Sequence, residues 1–173
     1  MPRRSLSRQL RDVRKTLRNA VDRDFISLDQ MRKVGFKASE LVVKRTRQGR
    51  GVNRADGGGN TSPLKQLTDR YINYRKQNRF RLHPETSPGK SNLTFSGQML
   101  DSFTVRQTSK GRVFIGPGGR RSGGGPTNAQ VGQFVIEQGR VFNNLSRGEI
   151  RELGKFYQAT FPRIARRNGL KVK

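Results

Sequence analysis

Large apolar side chains recur three or four positions apart between residues 5 and 24, at Leu6, Leu10, Val13, Leu17 and Val21. That spacing predicts a helix with one narrow apolar stripe and arginine or lysine on its other faces. Ser27 and Gln30 make an S-x-x-Q capping box, so a second helix is expected to start near Leu28. Its stripe is Leu28, Met31, Val34, Ala38, Leu41 and Val42, weakened in the middle by Gly35. It runs out in KRTRQGRG, where cations suit the negative end of the helix dipole. Residues 49–63 are polar and glycine-rich and predict a loop. Leu64, Leu67, Tyr71 and Tyr74 or Arg75 then return to helical spacing, and residues 76–92 are basic and irregular, with Pro84 and Pro88.

The second half is more regular. A short helical turn is expected around Gly97 to Asp101. FTVRQ alternates, with Phe103, Val105 and Gln107 on one face and Thr104 and Arg106 on the other, TSKG turns, and RVFIG returns. Two alternating runs across a glycine-containing turn predict a β-hairpin near 103–115. A short helix follows over Asn128 to Gln138, carrying Val131, Phe134, Val135 and Ile136. Ser146 and Glu149 form a second capping box, S-x-x-E, ahead of a last helix built on Ile150, Leu153, Phe156 or Tyr157, and Thr160 or Phe161, ending at Pro162. Helices, a hairpin and more helices, with no internal repeat, give an α+β fold: a small antiparallel sheet packed with several α-helices. The expected organisation is a basic helical arm over 1–25, an α+β domain over 26–162 with flexible loops at 49–63 and 116–126, and a basic tail over 163–173.

Charge changes the picture most. The chain has 173 residues, 37 Lys+Arg against 12 Asp+Glu, and a formal net charge of +25, while only 31% of residues are hydrophobic. The core must be modest, and self-repulsion destabilises the compact state unless something anionic neutralises it. Nucleic acid or an acidic protein surface is the implied partner. There is no cysteine, which excludes disulfide scaffolds, thiolate zinc sites and thiol catalysis. The one histidine, His83, precedes Pro84 in a polar stretch and is expected to be an ordinary loop residue. No run approaches the roughly 18 apolar residues of a membrane span, and the basic N-terminus lacks the apolar segment of a secretory signal.

The stretch GPGGRRSGGGP, residues 116–126, invites comparison with a phosphate cradle. A Walker loop needs a lysine and then a hydroxyl after its last glycine, and no lysine follows any of these glycines. Pro126 also removes an amide where a cradle would want one. Gly116, Gly118 and Gly119 match a dinucleotide fingerprint only in part, with no acidic residue about twenty positions on. No cofactor and no metal is expected. The acidic residues form no evident catalytic pair: Asp22/Asp24 and Glu149/Glu152 lie in basic helical context, where salt bridges are the expected role.

Several stretches, taken in order, resemble the bacteriophage virion-morphogenesis, or tail-completion, family of neck proteins of long-tailed phages. They are Pro63, Leu64, Leu67, Thr68, Tyr71 and Arg75 after a glycine-containing loop; Leu93, Ser96, Gly97, Gln98, Leu100 and Ser102 leading into a strand; and Val113, Ile115 and Gly116 at the hairpin return. Ala129, Gln133 and Phe134 follow, then Arg140, Val141, Phe142, Leu145, Ser146 and Ile150. The resemblance spans roughly residues 30 to 162. It departs from the family at Val141, where proline is usual, at Asn143 and Asn144, and in the reduced helix start at Asn128 and Ala129.

The resemblance implies a non-enzymatic structural subunit of the virion neck, assembled in the host cytoplasm. Its expected partners are itself in a homo-oligomeric ring (a hexamer or dodecamer), the head connector or portal-side proteins, and tail tube or tail terminator proteins. Packaged DNA could be touched without reading its sequence, and no membrane partner is expected. Candidate contacts to DNA or an acidic surface are Arg8, Arg11, Arg14, Lys15 and Arg18 on the arm, Arg120 and Arg121 on the glycine loop, and Arg163, Arg166 and Arg167 on the tail. Leu93, Gly97, Leu100, Phe134 and Phe142 are candidate fold or interface elements. The alternative is a ribosomal or other RNA-binding structural protein with basic arms.

Overall fold

A computed structural model describes residues 28–53, 59–109 and 112–162. The arm with Arg8, Arg11, Arg14, Lys15 and Arg18, the pair Asp22 and Asp24, and the tail with Arg163, Arg166 and Arg167 lie outside the described residues.

Helix α1, Leu28–Arg47, is the element around which the others gather: it touches the first strand, both strands of the hairpin and the last helix. Ala38, Leu41 and Val42 of its expected stripe are buried, and Met31 and Val34 half-buried. Gly35 turns out to be the point of closest approach to the hairpin. A Cβ there would come within 2.6 Å of Val105 and 3.0 Å of Val113, so a residue that weakens the helix by itself lets the helix lie against the sheet.

The expected loop at 49–63 instead carries a short ribbon. Strand β1, Arg50–Val52, pairs antiparallel with β2, Thr61–Pro63. Its stability comes from distant chain: the Val52 amide donates to the Val141 carbonyl at 3.0 Å, and that carbonyl lies 2.4 Å from where a Cβ on Gly51 would stand. The next helix, α2, is Asp69–Gln77 and starts later than its apolar spacing suggested. Thr68 caps it by accepting the Tyr71 amide at 3.3 Å. Leu64 is buried ahead of the cap, its amide bound to the Gly49 carbonyl at 2.8 Å.

A 3-10 turn, Arg79–Arg81, leads to α3, Gln98–Asp101. Gly97 opens α3 at φ 77°, and a Cβ on it would meet the His83 ring at 2.5 Å, so Gly97 serves the fold. His83 is a loop residue, its Nδ1 accepting the Glu85 amide at 3.2 Å. The hairpin is β3, Phe103–Ser109, and β4, Arg112–Pro117, with Phe103 opposite Pro117 and Val105 opposite Ile115. Helices α4, Asn128–Glu137, and α5, Arg147–Thr160, both begin in complete capping boxes, Thr127 with Gln130 and Ser146 with Glu149. The fold is α+β with small antiparallel sheets.

The centre of the core is Met99, Leu100 and Phe142, packed by Val43, Leu93, Phe103, Val131, Val135 and Ile136. Phe103 meets Phe142 edge-on, ring centroids 6.2 Å apart. One ion pair is buried beside it. Arg45, 5% exposed, donates to the Glu149 carboxylate, to the Phe142 carbonyl and, at 3.0 Å, to the Asn144 carbonyl. Glu149 in turn accepts the Ser146 amide at 2.7 Å, so one carboxylate caps α5 and neutralises a cation of α1. The second member of the acidic pair, Glu152, lies 3.6 Å from Lys37, also in a salt bridge.

Removing one partner of a buried pair strands the other charge, so Glu149→Gln or Arg45→Met is expected to cost about 3–5 kcal/mol in urea denaturation. A loss no larger than the roughly 1 kcal/mol of an exposed pair would refute that role. Tyr157 gives an opposite case. Its ring packs 5.3 Å from Phe161, its hydroxyl is buried without a hydrogen-bond partner among the described residues, and burial pushes its phenol above the ordinary range. A folded-state value above the unfolded one means the contribution is intact below pH about 10 and is lost as pH rises through the folded value. Tyr157→Phe should therefore cost nothing at neutral pH and lessen the alkaline fall in stability. Denaturation midpoints across that range would show it; a clear loss at neutral pH would mean the hydroxyl has a partner.

Candidate partner-binding cleft

Residues at positions i, i+3 and i+4 of a helix share a side. In α2 these are Tyr71, Tyr74 and Arg75, and they face not a sealed core but a cleft of about 890 Å³. Tyr71 and Tyr74 remain 40% and 43% exposed, so the helical spacing that placed them on one side does not bury them. Their rings stack at 6.0 Å with an interplanar angle of 16°, and Phe95 closes the group at 5.8 Å from Tyr74. The opposite wall is α4, which brings Val131, Phe134 and Val135, with Phe134 52% exposed. Leu67, Leu93 and Met99 also line the space. Gly132 lets α4 lie close: a Cβ there would stand 3.0 Å from Pro117. Leu93 adopts φ 57°, in the left-handed region that non-glycine residues rarely enter.

Among the described residues the charged groups lining the cleft are all cations, Lys65, Arg75, Arg81, Arg121 and Arg140, with no aspartate or glutamate. Arg140 is tied down, donating to the carbonyls of Lys65 at 3.2 Å and Gln66 at 3.1 Å and to the Gln138 side chain at 2.9 Å. It thereby fixes the end of α4 to the segment before α2.

Arg75 is the unusual member. It is only 2% exposed, yet it makes no ion pair among the described residues. Its guanidinium donates to the Lys90 carbonyl at 2.9 Å and to Thr86 Oγ1 at 3.1 Å, while its buried Nε has no partner among the described residues. Two rings supply the rest, with the guanidinium carbon 5.9 Å from the Tyr71 centroid and 6.0 Å from that of Phe95. Burial lowers the Arg75 pKa from its ordinary value, opposed by Tyr71. Burial raises the Tyr71 phenol, and Arg75, Arg140 and Arg121 pull it back. One phenol thus feels three cations of the cleft.

The glycine loop contributes one of its two arginines. The loop is anchored where Gly118 donates to the Ser102 carbonyl at 3.0 Å and accepts the Asn128 side chain at 3.0 Å. Beyond it Gly119, Gly123, Gly124 and Gly125 take positive φ in open space. Ser122 accepts a hydrogen bond from Gln98. Arg121 turns into the cleft with its Nε buried and unpartnered among the described residues, while Arg120 is exposed and does not line it. The predicted pair of arm-like arginines is split. Of the expected fold or interface residues, Leu93, Gly97 and Phe134 border the cleft, whereas Leu100 and Phe142 lie in the core.

Sequence reasoning missed Lys65, Tyr74, Arg81, Phe95 and Arg140 as one site, because they come from separate segments. The available signal was the Y-x-x-Y-R run of α2, two aromatics and a cation on one side of a polar helix. The described residues hold no group of three or more His, Cys, Asp or Glu side chains that could hold a metal ion, and no helix long and apolar enough to cross a membrane. No protein-family model, curated protein or solved structure matches this chain.

Arg75 also organises the segment opposite it, since Thr86 passes the contact on to Asn92 at 2.7 Å. Arg75→Met should accelerate amide hydrogen exchange over residues 83–92 while leaving α1 and α5 protected, at a cost of about 1–3 kcal/mol for the orphaned acceptors. Unchanged exchange in that segment would show that Arg75 does not hold it.

Proposed function

We propose that this protein is a structural, non-enzymatic subunit of a bacteriophage neck: a ring-forming tail-completion or head–tail joining protein that links the head connector to the tail. The observation that carries the reading is the hairpin. Among the described residues β3 and β4 pair only with each other, so each strand has an edge that no other strand covers. On the face away from α1, Phe114 is 54% exposed opposite Arg106. Uncovered strand edges are templates for pairing with a neighbouring chain, and a heterologous contact repeated by rotation closes into a ring.

Charge supports the same reading. A subunit with a formal net charge of +25 repels its own copies, so a ring of them requires anions, from acidic connector or tail surfaces or from the phosphates of DNA in the lumen. Phosphate contacts of that kind position without reading sequence. A small core also gains from neighbours, since a partner that binds only the folded state stabilises it. The resemblance of residues 30 to 162 to neck proteins supplies the identity of the assembly.

Native mass spectrometry of the purified chain, alone and mixed with the connector ring of the same phage, tests the reading at low and high salt. The expected result is a discrete hexamer or dodecamer that adds to the connector and dissociates from it as salt rises. A monomer that ignores the connector and carries bound RNA would overturn the reading in favour of a ribosomal or other RNA-binding role.

A further inference from the structure

We propose that the cleft between α2, residues 93–99 and α4 is a docking site for an acidic peptide segment of a different protein, one that presents a carboxylate beside a large apolar side chain. The inference goes beyond the neck reading and does not depend on it, because a chain with no connector partner would carry the same cleft.

The first part of the case is charge. Arg75 is 2% exposed and lines the cleft, and among the described residues its Nε has no partner and its guanidinium no carboxylate. Arg121, which also lines the cleft, likewise has an Nε without a partner among the described residues. A buried cation without a counter-charge is costly, and an arriving carboxylate offsets that cost. The acids flanking Arg75 cannot serve: Asp69 sits in the first turn of α2 and does not line the cleft, and Glu85 and Asp101 are both engaged by Arg47.

The second part is the apolar lining. Leu93, Val131, Phe134 and Val135 make a surface for aliphatic or aromatic side chains, and the stacked Tyr71 and Tyr74 extend it. Exposed aromatics set among arginines are the composition of binding hot spots. A cleft of about 890 Å³ takes a few side chains, whereas grooves for single-stranded nucleic acid track roughly 4–16 nucleotides per fold. A peptide therefore fits better than a strand of nucleic acid.

A second copy of the chain fits worse on charge. Its most protruding ring, Phe80, 84% exposed, sits between Arg79 and Arg81, and Phe36, 61% exposed, is followed by Lys37. Either would carry cations into a cationic cleft.

The test is selection from a random short-peptide display library on the full chain, followed by fluorescence anisotropy of a selected, synthesised peptide. Enriched peptides should share an aspartate or glutamate next to a large apolar residue. Phe134→Ala, at an exposed position that leaves folding intact, should weaken binding about 30-fold, the scale of a hot spot. Arg121→Ala should weaken it about tenfold, and Arg120→Ala, on the same loop but outside the cleft, should leave it unchanged. Equal losses for Arg120→Ala and Arg121→Ala would overturn the proposal by showing general charge attraction. So would enrichment without acidic residues. Displacement of the peptide by oligothymidylate, itself weakened by Phe134→Ala, would assign the cleft to nucleic acid instead. Self-association in sedimentation that Phe134→Ala abolishes would assign it to a second copy.

Discussion

One guanidinium joins the two halves of this fold. Arg45 projects from near the end of α1 and binds Glu149, the Phe142 carbonyl and the Asn144 carbonyl together. Glu149 is at the same time the capping residue of α5 through the Ser146 amide. The residues between, which deliver Phe142 to the core and the Val141 carbonyl to β1, are therefore clamped at both ends of a short path. A small core has few apolar contacts with which to fix the angle between two helices, and here a directional ionic contact fixes it. The price of such a contact is desolvation: burial pushes the Arg45 guanidinium below its ordinary value, and Glu149 pulls it back. It persists because both terminal nitrogens find partners, three hydrogen bonds in all, with only Nε left wholly without one among the described residues.

That pair has a counterpart in Arg75, and the contrast follows from supply. Twelve carboxylates face 37 cations. Those among the described residues are committed to local structure: Glu149 to Arg45, Glu85 and Asp101 to Arg47, Glu40 and Glu152 to Lys37, and Glu137 to the Gln133 amide. Asp29 and Asp69 occupy the first turns of α1 and α2, where the helix dipole favours them. Arg75 is left with a carbonyl, a hydroxyl and two aromatic faces. These weaker partners hold it in place without cancelling its charge, and the charge remains available to whatever enters beside Tyr71.

The elements that local chemistry dictates were legible in the sequence. Ser146 with Glu149 announced α5, and the alternation from Phe103 and the return through Val113 and Ile115 announced the hairpin and its facing. Three features were not. The β1–β2 ribbon depends on the Val141 carbonyl and on Gly51 being small enough to approach it, a contact across distant sequence that leaves no local period. The start of α2 was placed too early because Leu64 and Leu67 continue the helical spacing, although Thr68 caps the helix after them. The cleft was hidden for a related reason. Tyr71 and Tyr74 have the spacing of core residues, and periodicity records which side of a helix is apolar without recording whether that side is sealed. Arg120 and Arg121 show the limit again, since adjacent residues on a loop need not share a destination.

The uneven distribution of carboxylates constrains how any assembly of this chain can be built. Exposed cations repel over a Debye length of about 8 Å at physiological ionic strength. Copies packed as closely as an ordinary interface requires cannot keep basic faces apposed at that range without anions between them. The described carboxylates are already engaged within the subunit or at its helix ends, so they supply little across a boundary. Neutralisation must then come from another kind of molecule, and the apolar contacts available to copies of the chain, such as the hairpin edges and Phe114, can act only once that molecule is present. On this logic association with an anionic partner and self-association are coupled: each stabilises the other, and the ring proposed here would form on its partner more readily than free in solution.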